Sequence, residues 1–99
     1  MAQIQLSEQT LTVGKLADVR DKFLSSPKNL TLKFDFALAL IAENQDQEAI
    51  DTLLEIIQKE IDWNNGKAKT QLIEFLDALG PENQTGRTGR RKLSSILFS

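Results

Sequence analysis

Apolar residues recur along this chain at the three- and four-residue spacing of helices that bury one face. Leu16, Val19 and Phe23 form the first such stripe. It ends before Pro27, because the residue ahead of a proline is pushed out of the helical region. Gly80-Pro81 ends the fourth stripe in a similar way. We predict five helices, at about 13–25, at about 29–43, from 46 to a break at 63–66, from that break to 79, and at about 90–98.

The second and third predicted helices lie within Phe36–Ile61 and are separated only by the polar stretch Glu43–Asp46. Two helices joined by so short a connection fold back on each other as an antiparallel hairpin. Ala37 and Ala49 stand twelve residues apart on these helices. Small side chains at such matched places let two helices approach closely, so we expect tight packing within this hairpin.

Polar residues near the breaks indicate where individual helices begin and end. Asn29 is a suitable N-cap, and Asn44 is a suitable stop because asparagine tolerates the left-handed conformation. Trp63 lies at the break before the fourth helix, for which Asn64 or Asn65 is the predicted N-cap. We expect the Trp63 ring to cover the core at this junction, and the alternative is that it anchors a partner.

These elements predict an all-α fold of antiparallel helical hairpins, either an array of about five helices or a bundle. Ninety-nine residues allow one domain with a modest core. Ile4 and Leu6 alternate with polar neighbours near the start, but a lone short strand has no partner. We therefore expect residues 1–12 to be an arm or linker and residues 13–99 to be the helical domain.

The composition argues against chemistry at an active site. The chain has neither Cys nor His, which removes disulfides, the commonest zinc ligands and the usual general base near neutral pH. Acid pairs such as Glu48 and Asp51 are spaced to lie on solvated helix faces. We expect no enzymatic activity, no cofactor and no metal site. No apolar run approaches the roughly 20 residues of a membrane span, so we also expect no membrane partner and a cytoplasmic location.

Positive charge is concentrated within and directly after a predicted polar loop at Glu82–Gly89. The four cations of residues 81–99 are Arg87, Arg90, Arg91 and Lys92. They could contact phosphate or an acidic partner surface. The alternative is a solvated helix end, with Arg90 or Arg91 paired to an acid among Glu74, Asp77 and Glu82. A cluster without interleaved aromatic residues is a weak nucleic-acid signal, so the sequence disfavours nucleic acid as a partner.

Residues 29–60 resemble a tetratricopeptide repeat. Ala37 and Ala49 match the two small-residue positions of that pattern, and Asn44 stands in the turn where glycine is usual. The large apolar positions are matched by Phe36, Leu40, Leu53 and Ile56.

The order of segments beyond this hairpin is similar to the C-terminal tetratricopeptide region of thioredoxin-like co-chaperones, the co-chaperedoxin group. The similar segments, over roughly residues 14–98, are NQDQEAIDTLL at 44–54, DWNNGKAK at 62–69, FLDALG at 75–80 and RRKLSSILF at 90–98. The chain departs from that family at Gly89, where an aromatic residue usually precedes the paired arginines. It also lacks the thioredoxin-like domain that precedes this region, so the resemblance implies a fragment of a longer protein or a stand-alone remnant.

In tetratricopeptide arrays the first helix of each pair lines a concave face. The corresponding offsets in this chain fall on Thr31, Phe34, Leu38 and Ile41. The resemblance implies that these residues form an apolar groove for a partner, and the alternative is that they pack against the first helix or upstream repeats. A clamp for an acidic C-terminal tail needs Lys, Arg and Asn at such offsets, so no clamp is expected.

Together these observations predict a non-enzymatic protein–protein interaction domain of tetratricopeptide type. By resemblance, it would be a co-chaperone module that holds unfolded clients or docks a chaperone. One alternative is a self-assembly module that forms a homodimer through an unpaired repeat face. Another is a small nucleic-acid-binding helical domain that uses Arg87–Lys92.

Overall fold

The computed structural model describes residues 16–98, and these residues form an all-α array without a strand. The predicted arm at 1–12 and the predicted start of the first helix at residue 13 lie outside the described residues. The first helix, α1, covers 16–25 of the described chain. The four that follow are α2 (Leu30–Ala42), α3 (Asp46–Lys59), α4 (Lys67–Leu79) and α5 (Gln84–Leu97). The predicted fold class of about five helices is therefore confirmed.

The α2–α3 hairpin forms through local hydrogen bonds that the sequence indicates. The Asn29 side chain caps α2 by accepting a hydrogen bond from the Leu32 N–H at 3.1 Å. Asn44 adopts a φ of 60°, in the left-handed region. This turn lets the Gln45 N–H donate to the Leu40 carbonyl at 2.9 Å, which satisfies an acceptor at the end of α2. Both predicted helix boundaries are confirmed.

The core is built around α3, which packs against α2, α4 and α5. Ala37 and Ala49 of the hairpin are both completely buried, as expected for two closely packed helices. The largest fully buried side chains are Leu40, Ile50, Leu53, Ile56, Ile57, Leu72 and Leu76. Most of them belong to α3, which explains why its sequence is apolar on more than one side.

The break between α3 and α4 is a left-handed turn at Trp63–Gly66. Asn64, Asn65 and Gly66 have φ values of 49°, 58° and 78°. Asparagine and glycine are the residues that adopt this conformation at least cost. The predicted N-cap at Asn64 or Asn65 is wrong: Gly66 occupies the N-cap position of α4, and no side chain caps that end.

The predicted polar loop at Glu82–Gly89 is wrong over most of its length, because α5 begins at Gln84. The Asn83 side chain caps this helix by accepting a hydrogen bond from the Gly86 N–H at 2.8 Å. Gly89 is buried inside α5, where a Cβ would lie 3.0 Å from Ile50 Cγ2 and 3.1 Å from Leu76 Cδ2. Glycine here permits α5 to approach α3 and α4 closely, rather than permitting a turn.

Candidate functional site

The predicted binding stripe of α2 is divided between the core and the surface. Thr31 is exposed and Leu38 is 37% exposed, whereas Phe34 is only 3% exposed. Ile41 is half-buried and packs against the core. Of the four residues, only Thr31 and Leu38 are exposed in this structure, and Phe34 packs inward, as the alternative expected. Partner binding by these residues stays a prediction.

Phe34 is buried because the turn after α3 covers it. The Trp63 ring packs against the Phe34 ring at a centroid distance of 5.3 Å and a tilt of 46°. The Lys67 ammonium, at the start of α4, lies 5.3 Å from the centroid of the same ring. Trp63 is itself half-buried against the core, as expected for a side chain that covers the junction.

The other flank of α2 is covered by α1. The rings of Phe23 and Phe36 stack with centroids 5.4 Å apart and planes 18° apart. Arg20 lies over the Phe36 ring at 5.4 Å and approaches the Glu48 carboxylate at 4.0 Å. Helix α1 therefore supplies the apolar contacts that an inner helical hairpin needs on its upstream side.

The exposed side of α2 carries Thr31, Asp35, Leu38 and Ala42, at spacings of four, three and four residues. These spacings place the four side chains along one face of the helix. A groove of about 460 Å³ runs beside this face, between α1 and α2. This α1–α2 groove is lined by Asp18, Val19, Lys22, Leu32, Asp35, Leu38, Ala39 and Ala42.

The α1–α2 groove has an apolar floor and a charged rim. On the rim, Lys22 pairs with Asp18 of its own helix at 3.3 Å. Asp35 is exposed and has no cation within ion-pair distance among residues 16–98. The exposed side of α2 offers no cation to a carboxylate ligand, so this surface suits an apolar segment rather than an acidic tail.

The structure separates the four cations of the predicted basic cluster. Arg90 donates to the Asp77 carboxylate of α4 at 3.1 Å, which confirms one of the predicted pairings. Lys92 approaches the Asp51 carboxylate of α3 at 3.7 Å. Arg87 and Arg91 are exposed and have no carboxylate partner among the described residues. Two of the cations thus join α5 to its neighbours, and two face solvent.

Two exposed apolar residues at the far end of the array were not among the predicted site residues. Phe98 is 84% exposed and Ile73 is 40% exposed. They border a groove of about 210 Å³ between α4 and α5, called here the α4–α5 groove. The sequence does contain a signal for Ile73, because Leu72 and Leu76 form the buried stripe of α4 and Ile73 stands beside it.

Among residues 16–98, no group of three or more His, Cys, Asp or Glu side chains could hold a metal ion. The same part of the chain has no buried side-chain nitrogen or oxygen without a hydrogen-bond partner. Its helices are all too short or too polar to cross a membrane.

Comparison with known proteins agrees with this architecture. An uncharacterized protein from Haemophilus influenzae (strain ATCC 51907 / DSM 11121 / KW20 / Rd) is 25% identical over 97 residues, which are 98% of this chain and 44% of that relative. The chain therefore spans less than half the length of the curated relative it matches. No solved structure is significantly similar. A family model described as tetratricopeptide repeat matches residues 3–98, nearly the whole chain. The chain belongs to the tetratricopeptide repeat family.

Proposed function

We propose that this domain is a co-chaperone module that holds apolar segments of unfolded clients on the exposed side of α2. The observation that carries the proposal is the α1–α2 groove, into which the partly exposed Leu38 projects beside an apolar floor. Membership of the tetratricopeptide repeat family indicates a protein partner. The co-chaperone role follows from the resemblance to the C-terminal region of thioredoxin-like co-chaperones, which also supports a parent protein with a thioredoxin-like domain upstream.

The dimensions of the groove suit short apolar segments. Its volume of about 460 Å³ falls within the roughly 300–1,000 Å³ of typical binding pockets, so it has room for a few side chains. Its walls are two helices already held in place by the core contacts of Val19 and of the α2–α3 hairpin. A preformed site of this kind loses little conformational entropy on binding.

Only a weak and general interaction is expected at this surface. Leu38 supplies the main exposed apolar side chain, and Asp35 adds one negative charge at the rim. Such a surface contains no arrangement of donors that would select one peptide sequence. This breadth suits the holding of many unfolded clients, which share exposed apolar residues rather than a motif.

The experiment compares Leu38→Ser with Leu24→Ser. Leu24 is 62% exposed on α1 but lines a different groove, so its replacement controls for the loss of any exposed leucine. The assay is light scattering of chemically denatured luciferase diluted into buffer with each variant. We expect Leu38→Ser to require roughly tenfold more protein for the same suppression, because removing a leucine contact costs about 1.5 kcal/mol. Leu24→Ser should suppress aggregation as well as the unsubstituted chain does.

A second variant tests the same groove independently of any effect that Leu38→Ser has on folding. Ala42→Arg adds a bulky side chain at the exposed end of the groove without removing a core contact. A cation near the C-terminus of α2 is also compatible with the helix dipole. We expect this variant to keep its melting temperature and to lose client holding. Full suppression by both variants would contradict the proposal.

Sedimentation velocity at several concentrations distinguishes client holding from the self-assembly alternative. If the exposed side of α2 were a homodimer interface, Leu38→Ser would convert a dimer into a monomer. If the domain holds clients and does not self-assemble, we expect one sedimentation coefficient, independent of concentration, for both the unsubstituted chain and Leu38→Ser.

A further inference from the structure

The two ends of the array expose different chemistry, and the α4–α5 end combines apolar side chains with positive charge. Ile73 of α4 and Phe98, directly after α5, are the exposed apolar residues that border the α4–α5 groove. Leu93 and Leu97 complete its apolar lining. An exposed aromatic residue at the edge of an apolar groove is a typical centre of a protein interface.

On its α5 side, this groove is bordered by charge of one sign. Helix α5 contains three arginines and one lysine and no acidic residue. Arg90 lines the groove and is already neutralised by Asp77. Arg87 and Arg91 lie one helical turn apart on the outer face of α5, without a carboxylate partner among residues 16–98.

Phe98 lies on the same side of α5 as these two arginines. It follows Arg91 by seven residues, which is two helical turns, or about 10 Å along α5. The outer face of α5 is therefore a stripe of two unpaired guanidinium groups that ends at an exposed aromatic ring. A solvated helix face is expected to be polar. Solvation alone requires neither a single sign of charge nor an exposed phenylalanine.

We propose that the α4–α5 groove and the Arg87–Arg91 stripe bind an acidic amphipathic helix of a partner protein. A large apolar side chain of the partner would enter the groove between Ile73 and Phe98. Carboxylates about two and three helical turns from that apolar side chain would accept charge-assisted hydrogen bonds from Arg91 and Arg87, respectively. The surface is separate from the α1–α2 groove, so it would recruit a second protein while a client is held.

Charge and shape favour this partner over nucleic acid. Two guanidinium groups of α5 have no carboxylate partner among residues 16–98, and two cations would neutralise few phosphates, whereas phosphate neutralisation supplies most of non-specific nucleic-acid binding. An apolar groove bordered by Phe98 also gains nothing from a phosphate backbone. An acidic amphipathic helix would pair its carboxylates with the Arg87–Arg91 stripe and place its apolar side chains in the α4–α5 groove.

The test is fluorescence anisotropy with two labelled peptides. The first is a helix-forming peptide with leucines on one face and glutamates elsewhere, and the second has lysine in place of every glutamate. We expect the acidic peptide to bind and the basic peptide not to bind. We also expect the affinity for the acidic peptide to fall as salt is raised. Equal binding of the two peptides, or no binding of the acidic one, would overturn the proposal.

Three variants locate the binding surface. Arg91→Glu and Phe98→Ser should each weaken binding of the acidic peptide by on the order of fivefold or more, because each removes a contact and leaves the core intact. Lys59→Glu changes an exposed cation at the end of α3 and should bind as the parent chain does. An Arg91→Glu variant with parental affinity would overturn the proposal, as would tighter binding of a labelled DNA duplex than of the acidic peptide.

Leu38→Ser separates this inference from the proposed function. The substitution lies in the α1–α2 groove and should leave binding of the acidic peptide unchanged. Loss of peptide binding in Leu38→Ser would overturn the assignment to the α4–α5 groove. Loss of client holding with retained peptide binding would support two separate surfaces.

Discussion

The two glycines buried within α5 should respond in opposite directions to replacement by alanine. A Cβ at Gly86 would have its nearest neighbours at 3.5–3.6 Å, which is ordinary contact with Leu79 and Asn83. A Cβ at Gly89 would lie 3.0 Å from Ile50 Cγ2 and 3.1 Å from Leu76 Cδ2. The same chemical change is therefore accommodated at one position and opposed at the other by contacts closer than ordinary van der Waals distance.

The expected change in the free energy of unfolding for each replacement combines two opposing effects of the added methyl group. Replacing glycine by alanine inside a helix stabilises the folded state by about 0.8–1 kcal/mol through backbone entropy. Overpacking of a filled core costs about 1–3 kcal/mol. At Gly89 the overpacking term should prevail, because Ile50 is 0% exposed and Leu76 is 1% exposed, so neither can move into open space. The branched Ile50 side chain is also restricted at χ1.

Thermal unfolding followed by circular dichroism measures the difference. Gly86→Ala should raise the melting temperature by about 4–6 °C, since about 1 kcal/mol shifts a domain of this size by roughly 4–8 °C. Gly89→Ala should lower it by several degrees, about 5 °C. A Gly89→Ala variant as stable as Gly86→Ala would refute the argument that close approach of α5 requires glycine at this position.

A double-mutant cycle tests whether contact with Ile50 is the reason that Gly89→Ala destabilises the domain. Ile50→Ala removes the Cγ2 atom that the new methyl would meet, at a cost of about 2–5 kcal/mol for the cavity. In that background Gly89→Ala should become stabilising, because its methyl then occupies part of the cavity. Additive effects of the two substitutions would show that the clash with Ile50 is not the reason for the loss.

Two further predictions concern contacts that fix the helices around the candidate surfaces. Phe34→Ala should cost about 3–5 kcal/mol and shift Trp63 fluorescence to longer wavelength, because the Phe34 ring is buried against the indole; an unchanged urea midpoint would contradict this. Arg90→Ala should destabilise by about 0.2–1 kcal/mol more than Arg87→Ala in low salt, because only Arg90 pairs with a carboxylate among the described residues. This difference should diminish in high salt.

Local chemistry made the helical boundaries of the hairpin predictable. Asn29 accepts a hydrogen bond at the start of α2, and Asn44 adopts the left-handed conformation that ends it. Pro27 and Gly80 likewise mark breaks between helices. Each of these effects depends on residues within one helical turn, so it can be read from the chain itself.

Within the candidate site, the sequence predicted the helix but not the face that stays exposed. Phe34 and Leu38 are equivalent as apolar residues on one stripe, yet Trp63 covers the first and leaves the second open. Asp35, outside the predicted stripe, lies on the exposed side. Whether a side chain is exposed depends on neighbours that come from distant parts of the chain, and a stripe pattern does not contain those neighbours.

The sequence by itself determined that the chain forms antiparallel helices with a hairpin at its centre, because helical periodicity and end-capping are local properties. Only the tertiary structure decided that Gly89 is a point of close helix packing rather than part of a loop, because its role depends on Ile50 and Leu76. It also decided that Arg90 ties α5 to α4 while Arg91 faces solvent. Neighbouring cations in the sequence are equivalent until packing brings a carboxylate to one of them.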